Sequence, residues 1–195
     1  MNRTIFFSEI RHSLFSGRLT QSQVDGINFK LNAWEQSGYT DIRWLAYMLA
    51  TVYHETDKKM IPIEEYGKGW GKPYGQKIRH DRKPYTHPDK IYYGRGDVQL
   101  TWYENYELMG KLLDIPLLEQ PELALVPEIS AKIMIEGMTK GKSNRGDFTG
   151  VSLENYFNVT KDDPVNARRI INGIDKAHLI ATYHYKFLSA IKNAS

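Results

Sequence analysis

The 195-residue chain has no cysteine, which excludes a disulfide, a thiolate nucleophile and any Cys-ligated metal or cluster. No stretch approaches the roughly 18 apolar residues of a membrane span, so no stable membrane insertion is expected. The start, MNRTIFFSEIRHSLF, offers only Ile5, Phe6 and Phe7 before Ser8 and Glu9. That is short of the about 7–15 apolar residues of a secretory h-region. Neither sign of charge dominates: 26 Lys and Arg against 23 Asp and Glu leave +3 with His neutral, a mild excess that names no anionic partner. Also missing are a GxSxG elbow, a phosphate-binding Gly-rich loop, the second histidine of an HExxH zinc helix, and any helix-turn-helix, zinc-finger or RNP signature.

What remains is the composition of a globular chain, 41% hydrophobic, 25% charged and 12% aromatic, long enough to bury a core without staples. A single domain over residues 1–195 is expected, with no repeat or linker, and a monomer is the default. Helical spacing covers the front third. Ile5, Phe6, Ile10 and Leu14 share one face of a first helix. Thr20 and Gln23 fit a capping box opening a second helix that runs to Gly38. Thr40 is expected to cap a third, reaching about Lys59 with Ile42, Leu45, Met48, Leu49 and Val52 inside. Between Met60 and Asp97 the helical period is lost in a Gly-, Pro- and Tyr-rich stretch far longer than an ordinary connection. Short β pieces are expected around 61–66 and 92–99. Helices then return: from a Thr101–Glu104 capping box to about Leu113, over Pro127–Lys140, from an Asp163 cap through Ile171, and from an Asp175 cap to about Ile191. The fold class expected is mainly α, with a long central loop region holding a small β element.

Two stretches concentrate chemistry. Glu55 lies near the C-terminal end of an apolar helix, where the helix field and partial burial disfavour an ionised carboxyl, as a general acid requires. Glu64 and Glu65 follow at the mouth of the loop and could supply a second carboxylate. A glutamate at a helix end is, taken alone, more often an ordinary solvated residue. Further on, Tyr93-Gly94-Arg95-Gly96-Asp97-Val98-Gln99-Leu100-Thr101 allows a tight backbone path, with Arg95 able to fork toward a carboxylate. The plain alternative is a Gly-Arg-Gly turn. Gln99 and Asn105 can pair with an acetamido group, and Trp70, Tyr74 and Trp102 can offer flat faces to sugar rings or be core aromatics. Arg168 and Arg169 are candidate ion-pair partners, and Asn172 can cap or touch substrate. His80, Asp81, His87 and Asp89 could gather around a loop metal, but their irregular spacing does not demand one, and no metal or cofactor is expected. Lys68, Lys72, Lys77, Arg79 and Arg82 interleave with aromatics as in a single-strand nucleic-acid groove, yet no nucleic-acid partner is expected for so small an excess of charge.

Taken in order, these stretches resemble the catalytic domain of glycoside hydrolase family 19, chitinases with a lysozyme-like helical fold, over roughly residues 42–188. The likeness rests on His54-Glu55-Thr56, the loop through Glu65-Tyr66-Gly67, Tyr92 to Thr101, Asn105-Tyr106 and Arg169-Ile170-Ile171-Asn172-Gly173. It implies an inverting two-glutamate hydrolase with Glu55 as general acid, Glu65 or else Glu64 as second carboxylate, and Thr101 holding the attacking water. It also implies a sugar-binding groove drawing on His54, Trp70, Tyr93, Arg95, Gln99, Trp102, Asn105 and Asn172. The chain departs from plant members in having no disulfide, in carrying Asp97 where proline is usual, and in having Leu179 near where an arginine is common. No separate chitin- or cell-wall-binding domain is expected either, and those departures, with the missing signal segment, make it look most like the short endolysins of phages and prophages. The expectation is therefore an antimicrobial enzyme of bacteriophage cytolysis, made in the host cytoplasm and released by a holin-type route. Its expected substrate is the β-1,4 MurNAc–GlcNAc backbone of bacterial peptidoglycan, with chitin as the enzymatic alternative and a non-catalytic glycan-binding protein as a third reading.

Overall fold

A computed structural model describes residues 1–195. Six α-helices carry the fold: α1 (Arg3–Ser13), α2 (Gln21–Ser37), α3 (Ile42–Glu55), α4 (Tyr103–Leu113), α5 (Pro127–Met138) and α6 (Ala177–Asn193). One small sheet pairs β1 (Ile63–Glu64) antiparallel to β2 (Arg95–Gly96), with Ile63 opposite Gly96 and Glu64 opposite Arg95. This is the mainly helical, lysozyme-like architecture expected, its sheet lying inside the loop region.

The centre is α3. Every residue from Leu45 to Tyr53 is buried, so this helix is apolar all round rather than on one stripe, and it must be enclosed. It packs chiefly on α6, which also receives α1, while α2 packs on α5. The central location of α3 brings its last residue, Glu55, out of the core at a defined point.

Several boundaries follow the expected local chemistry. The capping box at Thr20 forms, with Gln23 N donating to Thr20 Oγ1 and Thr20 N to Gln23 Oε1, and α2 stops at Gly38 with φ +75°. Others differ. Asp41, not Thr40, caps α3 by accepting from Arg43 N at 3.0 Å, and the helix ends at Glu55. Thr56 closes it there, turning its hydroxyl back to Val52 O and accepting from Met60 N, which holds the chain in a non-helical path before Lys59 is reached. Thr101 does not cap α4: its hydroxyl donates to Gln99 O, and Trp102 takes the cap position at φ +77° without a side-chain bond. Lys176 rather than Asp175 precedes α6. Asp163 does accept from Asn166 N, but the following segment, Asn166–Ile170, is a 3-10 turn. No helix is long and apolar enough to cross a membrane.

The α3–α6 seam encloses a histidine. His184 is fully buried, stacks on Phe157 with ring centroids 5.3 Å apart, and has no hydrogen-bond partner on either ring nitrogen. Burial pushes its pKa down from 6.5 to about 4, with the Arg43 charge adding to the effect. The folded chain therefore holds His184 neutral at a pH where the unfolded chain protonates it, and stability is lost as pH falls from 6.5 toward 4. His184→Phe should keep the stacking and remove most of that loss, up to roughly 3 kcal/mol. Urea unfolding at pH 7 and pH 4.5 checks this; an unchanged difference between the two pH values in the variant would show that His184 is not its source.

Candidate active site

Glu55 opens into a cleft of about 380 Å³. Its lining mixes polar side chains, Gln99, Thr101, Asn105 and Asn172, with apolar ones, Val98, Leu100, Phe148 and Ile171, and Tyr74 and Trp102 add aromatic surface. The Glu55 side chain is 15% exposed, and its Oε1 accepts from Nη1 of Arg168 at 2.6 Å. Arg168 is 2% exposed and is steadied by Nε donating to Asp175 O at 2.9 Å. Glu55 thus meets a buried guanidinium that the sequence offered only as an unassigned ion-pair partner. Glu55 Oε2 has no side-chain or backbone donor, and Glu55 is the one carboxylate lining the cleft.

The two glutamates of the loop mouth are separated by the pleat. Successive residues of an extended strand point to opposite sides, and Glu64 and Glu65 take different partners. Glu64 accepts from Tyr93 Oη at 2.6 Å and lies 3.0 Å from Lys68 Nζ. These two hydrogen bonds, Tyr93 first, hold its carboxyl below the ordinary range. Glu65 Oε2 accepts from Tyr74 Oη at 2.9 Å and from Gly94 N at 3.1 Å, leaving Oε1 free. Tyr74 lines the Glu55 cleft, so Glu65 is tied to that cleft and Glu64 to the charged network behind the sheet.

The Gly-Arg-Gly segment is a scaffold for the polar side chains of the cleft. A Cβ on Gly94 would lie 2.7 Å from Gln99 Oε1, and one on Gly96, at φ +89°, would lie 2.8 Å from Ala124 O. Both glycines are therefore needed for close approach. Arg95 and Leu100 exchange backbone hydrogen bonds and close a tight loop. Gln99, at φ +53°, spends both amide hydrogens on Ile63 O and Gly96 O, which leaves its oxygen as acceptor. Asn105 donates to Thr101 O at 2.9 Å and keeps its oxygen and a second N–H. Positive φ at both Gln99 and Trp102 places backbone strain on either side of Thr101, as functional loops often do.

Other expected residues lie elsewhere. Arg95 does not fork onto a carboxylate: it donates to Ile91 O and Tyr106 Oη, stacks 3.6 Å over the Tyr93 ring, and comes only within 4.0 Å of Glu64. Tyr93 is buried beside it. His54 is half-buried next to Glu55 but outside the cleft wall; burial holds its imidazole below the ordinary value, against the pull of Glu55. Trp70 is 89% exposed and borders a separate depression with Lys68, Lys72, Gln76 and Ile91. His80 and His87 do not meet around a metal: the first faces Glu104 at 3.5 Å, the second Glu119 at 3.7 Å, and no cluster of three His, Asp or Glu side chains has metal-holding geometry. In the basic loop, Lys68 is engaged by Glu64, Arg79 by Asp81 and the Tyr103 face, and Lys77 by Pro88 O.

Phe148 and Thr149 were not anticipated. They sit in a polar turn region without helical period, and only the fold brings them to the cleft. Thr149 Oγ1 donates to Arg169 O at 2.8 Å, which docks this turn on the segment carrying Arg168 and Asn172. Phe148 rests in the space left by Gly137 of α5, where a Cβ would lie 1.9 Å from the ring.

The fold resembles that of chitinases. No family model matches the chain. Over 96% of its length it superposes on 93% of a bacterial family 19 chitinase structure, with a TM-score of 0.61 and 21% identity. Chitinase C from Streptomyces griseus HUT6037 matches 98% of the chain over 90% of its own, with a TM-score of 0.60 and 21% identity. At this identity the likeness is one of fold. In sequence, 58% of the chain aligns at 34% identity with 36% of the acidic endochitinase WIN6 of Populus trichocarpa. A further 81-residue match, 42% of the chain, is 40% identical to 29% of the basic endochitinase CHB4 of Brassica napus. The chain thus spans well under half of these curated relatives. These similarities correct the expected likeness to phage or prophage endolysins. The relatives are endochitinases and chitinases, so the assignment to lysozyme-like peptidoglycan degradation, with peptidoglycan strands as partner, does not stand. It had leaned on missing disulfides, a missing binding module and signal segment, and substitutions at single positions, none of which touches the sugar being cut.

Gly137→Ala tests the seat of the cleft wall. The added methyl must move the Phe148 ring, at a cost of roughly 1–3 kcal/mol. Thermal unfolding together with a crystal structure of the variant checks this; an unmoved Phe148 at unchanged stability would contradict the packing described.

Proposed function

We propose that the chain is a glycoside hydrolase of the family 19 chitinase type, cutting β-1,4-linked N-acetylglucosamine polymers with inversion. One observation carries the reading: Glu55 is held through one oxygen by Arg168 in a cleft bordered by Tyr74, whose hydroxyl holds Glu65. The endochitinase relatives support the choice of polymer.

In this reading Glu55 Oε2 delivers a proton to the glycosidic oxygen as the bond to the anomeric carbon breaks. A water on the opposite ring face gives its proton to Glu65 Oε1, the oxygen left free by Tyr74 and Gly94. Thr101 Oγ1, whose own hydrogen goes to Gln99 O, accepts the other water hydrogen and orients the attack. The new C–O bond forms as the old one breaks. After release, Glu65 returns its proton to solvent and Glu55 takes one up. The acceptor oxygen of Gln99 and the amides of Asn105 and Asn172 suit the acetamido and hydroxyl groups of the sugar. Trp70 would serve as an outer stacking platform, away from the bond being cut.

Purified protein should shorten N-acetylglucosamine oligomers, read by mass spectrometry, with peptidoglycan as a parallel substrate. Glu55→Gln and Glu65→Gln should each lower kcat at least ~100-fold with oligomer Kd within about threefold. Glu64→Gln, which leaves Glu55 and Glu65 in place, should cost less than about tenfold. Intact oligomers with wild-type protein, or near wild-type turnover by a folded Glu55→Gln, would overturn the proposal.

A further inference from the structure

The cleft is assembled by a buried ion pair that lies outside it. Lys30, in the middle of α2, and Asp97, in the loop after β2, are both 0% exposed at their side chains and lie 2.7 Å apart. The Lys30 ammonium also donates to Gly26 O and Met60 O, each at 3.1 Å, whereas neither buried Asp97 carboxylate oxygen has an aligned hydrogen-bond donor, so the pair is held by charge. α2 approaches the second of these closely: a Cβ on Gly26 would lie 2.1 Å from Met60 O. Met60 is itself fully buried at φ +58°, with its N–H held by Thr56 Oγ1, one residue beyond Glu55. Asp97 is gripped on its other side by Ser130 Oγ, which accepts its backbone N–H at 2.8 Å.

One ammonium therefore touches both chains that make the reactive cleft. Met60 belongs to the segment running from Glu55 to Glu65, and Asp97 to the tight loop that turns Gln99 and Thr101 toward the cleft. Burying a lysine and an aspartate is expensive unless their geometry is closely satisfied, and burial does push the Asp97 carboxyl up against the opposing pull of Lys30. A pair retained at such cost, between elements that need mutual alignment to within a fraction of an ångström, has the character of a locating pin. The small sheet already ties the far end of that segment to the loop, through Gln99 to Ile63 O and Glu65 N to Gly94 O; Lys30 adds a tie at its near end, at Met60, close to Glu55.

We propose that Lys30 is a positioning residue for glycoside hydrolysis, fixing the Glu55–Glu65 segment against the Gln99–Thr101 loop through Met60 O and Asp97. This rests on the hydrolase reading above, and the test separates the two. The main variant is Lys30→Met with Asp97→Leu, which removes both charges and leaves an apolar contact able to keep the fold. Assayed on N-acetylglucosamine oligomers well below its melting temperature, it should lose kcat at least ~10-fold with KM within about threefold, because alignment rather than binding is disturbed. Amide exchange, which needs no activity, should speed up at least ~10-fold at Arg95 and Leu100 while α3 amides keep their protection. A milder variant, Asp97→Asn, keeps an oxygen for the ammonium and the N–H for Ser130, and should show the same split at about threefold. That variant decides the matter if the double variant does not fold.

An active wild type whose folded variants match its kcat would overturn the positioning role. Unchanged exchange at Arg95 and Leu100 would overturn it even if the wild type proved inactive on chitin oligomers. That inactivity would instead count against the hydrolase reading alone.

Discussion

The Arg168–Glu55 contact is the interaction on which the site depends. A guanidinium that is 2% exposed must have its charge met, and it meets it on a carboxylate at the end of the most buried helix. Two requirements converge there. The apolar length of α3 fixes where its last turn leaves the core, and the Asn166–Ile170 turn fixes where the arginine enters. The Asp175 carbonyl and the Thr149 hydroxyl lock that turn from either side. The result is a carboxyl whose orientation is set by one oxygen while the other is free to act.

The opposite side of the cleft is built by another principle. The Glu65 end of the loop has little regular structure: a two-residue strand pair, a 3-10 turn at Pro73–Gln76 and a closed loop from Arg95 to Leu100. Its order comes from side chains bonding to backbone: Gln99 to Ile63 O, Tyr85 to Tyr74 O, Tyr92 to Leu118 O, Arg95 to Ile91 O. The tyrosines serve here as rigid rods with a polar tip, which explains their density in a stretch poor in helix and sheet. Strained backbone at Gln99 and Trp102 is tolerated because these bonds over-determine it.

Helices were legible because burial imposes a period. Leu45, Met48, Leu49 and Val52 could be read as one stripe, and the Thr20–Gln23 box and Gly38 mark their own boundaries. Caps failed where a side chain had a competing tertiary use. Thr101 reads as a helix cap, yet its hydroxyl is turned toward Gln99 O beside the cleft; Thr56, read only as part of the His54-Glu55-Thr56 motif at the helix end, closes α3 through its own hydroxyl. Glu55, Gln99, Asn105 and Asn172 were legible as chemistry-bearing residues and do share the cleft. Phe148 and Thr149 were not, because no local pattern reports which turn will fold across α5. Arg95 was over-read: its motif suggested a carboxylate clamp, whereas its hydrogen bonds brace backbone and Tyr106. Substrate was the least legible property, since one buried charge pair and a few amides suit several N-acetylated glycans.

The proposed roles of Glu55 and Glu65 on opposite faces of the sugar have a direct stereochemical consequence. Proton NMR of N-acetylglucosamine oligomers at early times, before mutarotation, reads the anomer formed at the cleaved bond. Attack by a Glu65-held water against a leaving group protonated by Glu55 gives the α-anomer first. A β-anomer appearing first would mean retention through a covalent or substrate-assisted intermediate, and would contradict the assignment of Glu65 as the base.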